Sequence, residues 1–346
     1  MKLLIFDTRF PKGHKDLNNR IVKILSEQHQ LIVMNNNNFY TCCDKNIEYV
    51  DVDVTEYVGK SVFCNQLSHL KNIFHSYLKV RNFKYDRILF QTIDISSFLL
   101  CLLLFPNKIK YVIYHNNADQ LCRMLKRLCF NIYRNKIYHL TFADSIADYL
   151  ISLGAPKQRV FVIPHPIPTL PQLQFKSDNR QRFMNALCGA NDDNWVNQIF
   201  DYEESTKRLE QLETKIRLRT AVNRHNKMIE IINNYLSFDE YIKYYIESEG
   251  VIVLLPQDYQ YRYSGVIKDA LAFKTLVYVS DSAISREFST KYPNNVKIFK
   301  DVEQLFDFIS QKFTFSEDEY KKFYEFHSDK NISQTFENLF AKSQKV

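Results

Sequence analysis

The sequence predicts an α/β protein of two Rossmann-like, doubly wound domains, and three observations predict it. At 346 residues the chain is too long for one typical single core and suits two. Short apolar runs alternate with amphipathic stretches along most of it, as strands and helices of a parallel sheet should. Four of its nine prolines, Pro164, Pro166, Pro168 and Pro171, crowd into eight residues near the middle, which marks a linker.

In the first half, Lys2–Phe6 reads as a strand, Asn18–Gln28 as the helix after it and Gln30–Met34 as a second strand. Arg87–Phe90 and Tyr111–Tyr114 are two more strands. Between them Ser96–Phe105 is apolar all round, which suits a buried helix. Leu140–Ala143 and Val160–Ile163 complete the sheet. The proline cluster then puts the boundary between domains 1–167 and 168–346.

In the second half, Arg182–Leu187 reads as a strand, residues 195–215 as helix and Met228–Ile232 as strand. Ser237 and Glu240 resemble a capping box that opens helix 238–247. Val251–Leu255 is a continuous apolar run, hence a strand buried on both faces. Ser264–Ala272 is a helix, and Leu276–Val279 and Val296–Phe299 are strands. Two such domains leave a cleft between them, a favoured place for a ligand.

Composition narrows the function. Hydrophobic residues make up 45% and charged residues 25%, with 27 Phe and 22 Tyr, so most of the chain can bury a core. With 6 Gly and no fixed period, collagen-like and repeat architectures are out. The seven cysteines make no C-x-x-C pair and no zinc spacing, and no run approaches a membrane span. Asp7 interrupts the N-terminal apolar stretch too early for a signal peptide, so a reduced, cytoplasmic protein is expected. Residues 1–167 carry 22 Lys+Arg against 13 Asp+Glu, a balance of +9; residues 168–346 carry 24 against 26, a balance of −2. A basic half can meet nucleic acid, an anionic membrane or an anionic substrate. No nucleic-acid signature accompanies it, so nucleic acid is not an expected partner.

The stretch from Gly250 to Asp281 carries the chemistry. It reads as a buried strand, a polar loop, a Ser-Gly helix start and another strand. At a helix opening with Ser264, Gly265 and Val266, backbone N–H groups are left unpaired and the helix dipole adds about half a positive charge, a ready phosphate site. Gly265 lets the backbone come close, Arg262 adds a forked cation, and Asp269 can accept from sugar hydroxyls. Each has a plainer reading: an N-cap, an arginine stacked on Tyr261 or Tyr263, a solvated carboxylate.

Leu255-Pro256, Tyr263-Ser264-Gly265-Val266, Asp269-Ala270-Leu271 and Lys274 to Tyr278 together resemble the GT-B glycosyltransferases, in particular the retaining family 4 type. The stretch from Asn234 to Tyr241 resembles the segment before that family's nucleotide-binding strand. Tyr111 to His115 resembles its strand that ends in a histidine at the cleft, and Val160 to Pro166 its last strand before the linker. The match is specific only over about residues 234–281. It implies glycosyl transfer from a nucleoside-diphosphate sugar to a glycan or lipid-linked acceptor, with retention at the anomeric carbon. Surface-polysaccharide assembly is the setting it implies, and it calls for no metal cofactor.

The resemblance makes His115, Arg262 and Asp269 catalytic candidates. It assigns the donor to Asn191, Arg262, Tyr263, Ser264, Gly265, Val266 and Asp269, and the acceptor to the loop with Gly13 and His14. It also implies that the final helix, about 333–345, packs back on the first domain. Two departures stand out. The first of the family's two carboxylates, eight positions before Asp269, is Tyr261 here, and the loop from Gly189 to Asn194 has no cation. A nucleotide-sugar 2-epimerase of the same fold, or a catalytically weak partner subunit, therefore remains as an alternative.

Asp51-Val52-Asp53 matches a D-x-D metal motif, but its alternation suits a strand edge better. Residues 121–138 mix apolar and basic positions at helical spacing. That makes either a core helix with a solvated basic face or a helix on an anionic membrane surface, with Arg123, Lys126 and Arg127 on the lipid side.

Overall fold

Leu3, Leu4 and Ile5 have no exposed surface, because the first strand runs through the middle of a parallel sheet with helices on both faces. The computed structural model describes residues 1–54, 62–114, 118–168, 183–189, 191–234 and 236–343. By its internal contacts the chain forms two units. The first comprises Met1–Pro166, Tyr261–Tyr263 and the segment from His327 onward; the second comprises Ile167–Gln260 and Ser264–Phe326.

The first unit runs β1 (Lys2–Asp7), α1 (Lys15–Ser26), β2 (Gln30–Asn35), β3 (Ile47–Asp51), α2 (Val62–Val80) and β4 (Arg87–Thr92). It continues with α3 (Phe98–Leu104), β5 (Ile109–Tyr114), α4 (Met124–Tyr133), β6 (Tyr138–Thr141), α5 (Asp144–Ser152) and β7 (Val160–Val162). The sheet order is β3-β2-β1-β4-β5-β6-β7.

The second unit runs β8 (Phe183–Ala186), α6 (Asp193–Thr206), α7 (Arg208–Leu212), β9 (Lys215–Arg219), β10 (Ile229–Ile232), α8 (Phe238–Glu247) and β11 (Gly250–Val253). It continues with α9 (Gly265–Ala272), β12 (Leu276–Ser280), α10 (Ala283–Lys291), β13 (Val296–Phe299), α11 (Val302–Ser310) and α12 (Glu317–Phe326). Its order is β10-β9-β8-β11-β12-β13, and every strand pair in both sheets is parallel. The last helix, α13 (Asp329–Lys342), belongs to the first unit. Arg87 holds its end there, donating to the Phe340 carbonyl at 2.9 Å and to Ser343 Oγ at 2.8 Å.

Three expectations need correction. Residues 195–215 are not one helix: Lys207 breaks it in the left-handed conformation (φ 54), Glu213 ends the second piece (φ 51), and Lys215–Arg219 is a strand. Ile216 and Leu218 alternate with charged neighbours, and burying those two against β8 and β10 wins over helix propensity. Ser96–Phe105 is not a buried helix, since in α3 only Phe98 and Cys101 are buried and Leu103 is 77% exposed. Residues 121–138 are broken too. A 3₁₀ turn at Asp119–Cys122 precedes α4, Arg123 is extended between them, and residues 138–141 form β6.

Candidate functional site

In each sheet the order of strands reverses once, and the crevice at that reversal, off the strands' carboxyl ends, is where open α/β sheets take ligands. In the second unit the reversal lies between β8 and β11. The loops that follow these strands meet there, with the Asp192 amide donating to the Leu254 carbonyl at 3.0 Å.

The loop after β11 leads into α9. Ser264 is its N-cap: the side chain accepts from the Ile267 amide and is buried. The Gly265 and Val266 amides stand at the first turn, where the helix supplies no acceptor. A Cβ built on Gly265 would meet no atom within 4 Å, so nothing in the fold itself demands glycine there. An approaching anion would benefit from that open space.

On the other side of the crevice, Asp192 caps α6 by accepting from the Asn194 and Trp195 amides at 3.0 and 3.1 Å. Asn191 Nδ2 donates to the carbonyls of Ala186 and Arg219 at 2.7 and 3.1 Å, tying the ends of β8 and β9 together. Its Oδ1 is buried with no hydrogen-bond partner among the described residues.

A cation from another strand of the second unit lies beside the 189–194 loop. Arg219, the last residue of β9, lays its guanidinium on Gly189, with Nη1 3.2 Å and Cζ 3.6 Å from the place a Cβ would occupy. Sequence reasoning missed this residue because it ended a helix beside it at 215. The alternation Lys-Ile-Arg-Leu-Arg was the signal that could have found it.

Asp269 faces α8. Its Oδ1 pairs with Lys268 Nζ at 2.8 Å, and Oδ2 accepts from the Tyr241 hydroxyl at 3.3 Å. The Tyr241 and Tyr245 hydroxyls are 2.8 Å apart. Burial, and then the Asp269 carboxylate, hold the Tyr245 phenol well above its ordinary value, so it remains a donor.

Arg262 and Tyr263 lie in the first unit. Asp119 holds this segment twice, accepting from the Tyr261 amide at 2.7 Å and from Arg262 Nε at 3.2 Å. The Tyr261 ring stacks on Tyr149 at 3.7 Å, and Tyr263 stacks on His165 at 4.9 Å. The plainer reading had Arg262 stacked on Tyr261 or Tyr263; instead Arg262 pairs with Asp119, and the two tyrosine rings stack on Tyr149 and His165.

The first unit's own reversal lies between β1 and β4. Asp7, wholly buried, ties it: Oδ1 accepts from the Arg9 and Phe10 amides at 2.9 and 3.1 Å. Its Oδ2 accepts from Asn18 Nδ2 and Thr92 Oγ1, both at 3.2 Å. Gly13 is exposed with open space around it, and His14 stands at the start of α1. Burial, and then Arg9, push the His14 imidazole below its usual value.

Asp94, in the loop after β4, accepts from Lys126 Nζ at 2.8 Å. Burial pushes its carboxyl up, but Lys126 and the Ser97 amide outweigh that and hold it at about 2. Lys126 also reaches Gln120, so it is not a lipid-facing cation as the helical spacing had suggested. His115 lies outside the described residues. Among those described, no group of three or more His, Cys, Asp or Glu is placed to hold a metal ion, Asp51 and Asp53 included.

No family model matches the chain, and no curated protein matches it. Solved structures do. HepE of Anabaena, solved with UDP and glucose, is similar over 99% of both chains, with a TM-score of 0.68 and 12% identity. The lipopolysaccharide outer core galactosyltransferase WaaB is similar over 99% of this chain and 100% of its own, with a TM-score of 0.64 and 12% identity. The UDP-N-acetylglucosamine 2-epimerase of Rickettsia bellii is similar over 99% of this chain and 96% of its own, at 0.61 and 11%.

The fold is GT-B. At these identities the likeness concerns the fold, and it spans both units in one alignment. Within that fold, the α9 N-terminus and Arg219 both belong to the unit whose reversal lies between β8 and β11.

Proposed function

We propose that the protein transfers a sugar from a nucleoside-diphosphate sugar to a glycan or lipid-linked acceptor. The observation that carries this is the open N-terminus of α9, set at the strand reversal of the second unit. The Gly265 and Val266 amides hold the diphosphate there and Arg219 is its cation. Arg262 and Tyr263 are further donor contacts in this reading, Asn191 contacts the nucleotide, and Asp269 accepts from a hydroxyl of the donor. Support comes also from HepE, which was solved with UDP-glucose.

In the reaction the bond from the anomeric carbon to the diphosphate oxygen breaks, and a bond from that carbon to an acceptor hydroxyl oxygen forms. The hydroxyl proton passes to the leaving phosphate. Charge grows on the diphosphate as it leaves, and the helix dipole and the guanidinium are already in place to meet it. Attack comes from the face the diphosphate leaves, which retains configuration. In this reading His115 acts on the transferred sugar, and Gly13 and His14 serve the acceptor. Surface-polysaccharide assembly is the setting we propose.

Incubation of the full chain with UDP-sugars, with and without glycan acceptors, tests the reading by product analysis. Transfer supports it. Epimerised nucleotide sugar without transfer replaces it with the 2-epimerase, a reading favoured only by the likeness to the Rickettsia bellii enzyme. No turnover together with retained UDP binding leaves a partner subunit.

A further inference from the structure

Ten large apolar side chains are exposed among the described residues, and eight of them sit on three helices of the first unit. These helices, α2, α3 and α4, pack side by side, α3 in contact with each of the others. On α2, Leu67, Phe74 and Leu78 recur at a helical spacing and are 50, 46 and 39% exposed. On α3 the exposed residue is Leu103. On α4, Met124, Leu125, Leu128 and Ile132 form a stripe opposite the buried Cys129, Phe130 and Tyr133. An apolar face this concentrated marks an interaction surface rather than scattered surface leucines.

Charge says which kind. The three helices contain no Asp or Glu. Lys71 and Lys79 on α2, Arg127 on α4 and Arg123 at its start are all exposed. Lys126, which neutralises Asp94, is turned inward. A second copy of the chain docking face to face would set these cations against one another, which is costly. An anionic bilayer matches both components: headgroups for the cations and acyl chains for the leucines.

We propose that the α2–α3–α4 face docks on an anionic membrane surface, with Leu103, Met124 and Leu125 entering the headgroup layer. The helices lie on the membrane and do not span it, since no described helix is long and apolar enough to cross one. This attachment does not depend on the donor-site reading.

Flotation of the full chain with phosphatidylcholine vesicles, with and without phosphatidylglycerol, tests it. The protein is expected to float with the anionic vesicles and to stay in solution with the neutral ones. A Leu103→Ser, Met124→Ser, Leu125→Ser variant should keep the wild-type melting temperature, because all three side chains are exposed, and lose at least tenfold in partitioning. An Arg123→Gln, Arg127→Gln variant should lose at least tenfold at low salt. Wild-type protein that ignores the anionic vesicles overturns the proposal, as does a serine variant that floats equally well. A wild-type dimer that the serine changes dissociate, with no vesicle binding, overturns it too and makes the face an interface between copies.

Discussion

The Arg219 guanidinium lies 3.2 Å from the place where a Cβ of Gly189 would stand. These two residues come from different strand ends, and their contact puts a cation on a loop that has none of its own. Arg219→Ala is expected to weaken UDP binding at least tenfold, about 1.4 kcal/mol, and uridine binding hardly at all. Gly189→Ala forces the guanidinium to shift by a few tenths of an ångström and should cost less. Calorimetry checks both; equal affinity of Arg219→Ala and wild type for UDP would remove Arg219 from the site.

Gly265→Val tests the helix end. Since a Cβ there meets open space, the variant should fold with a wild-type melting temperature. Its side chain would occupy the approach to the Gly265 and Val266 amides, so UDP affinity should fall at least tenfold. An unchanged dissociation constant in the folded variant moves the diphosphate elsewhere.

His115→Ala should lower turnover at least tenfold and leave UDP affinity nearly unchanged, because the proposed partner of this residue is the transferred sugar. Normal turnover would return it to a structural role.

Asp119 accepts from two donors of the Tyr261–Arg262 segment, and its side chain is 10% exposed. Asp119→Ala leaves both without this acceptor and should destabilise the first unit by about 1–3 kcal/mol. Urea unfolding is the measurement, and a midpoint at the wild-type value would show that these two bonds to Asp119 are not what holds the segment.

His139 supplies a pH dependence. It is fully buried, its Nε2–H donates to the Arg134 carbonyl at 2.8 Å, and Nδ1 accepts from the Tyr114 hydroxyl. Burial holds its imidazole down at about 4, against about 6.5 when unfolded. The unfolded chain therefore binds the extra proton first as pH falls, and stability declines from about pH 6.5 to about pH 4. The loss should reach about 2 kcal/mol by pH 5. Thermal melts at pH 7 and pH 5 check it, and a His139→Gln variant should show a correspondingly smaller pH-dependent loss.

Local signals are legible in the residues themselves. Ser264 as an N-cap, the capping box of Ser237 and Glu240, and the strands at Lys2, Tyr111 and Val251 depend on neighbours a few residues away. Turn chemistry and the periods 2 and 3.6 encode them. Within the site, the same local logic located the α9 N-terminus.

The tertiary structure alone decided the rest. β9 is a strand because β8 and β10 bury Ile216 and Leu218, and that burial is what delivers Arg219 to Gly189. Arg262 meets Asp119 across 143 residues, a pairing no local period encodes. The leucines of α3 looked like core and are half outside, because hydrophobicity tells how a side chain would prefer to be placed, and only packing tells which of them finds a partner.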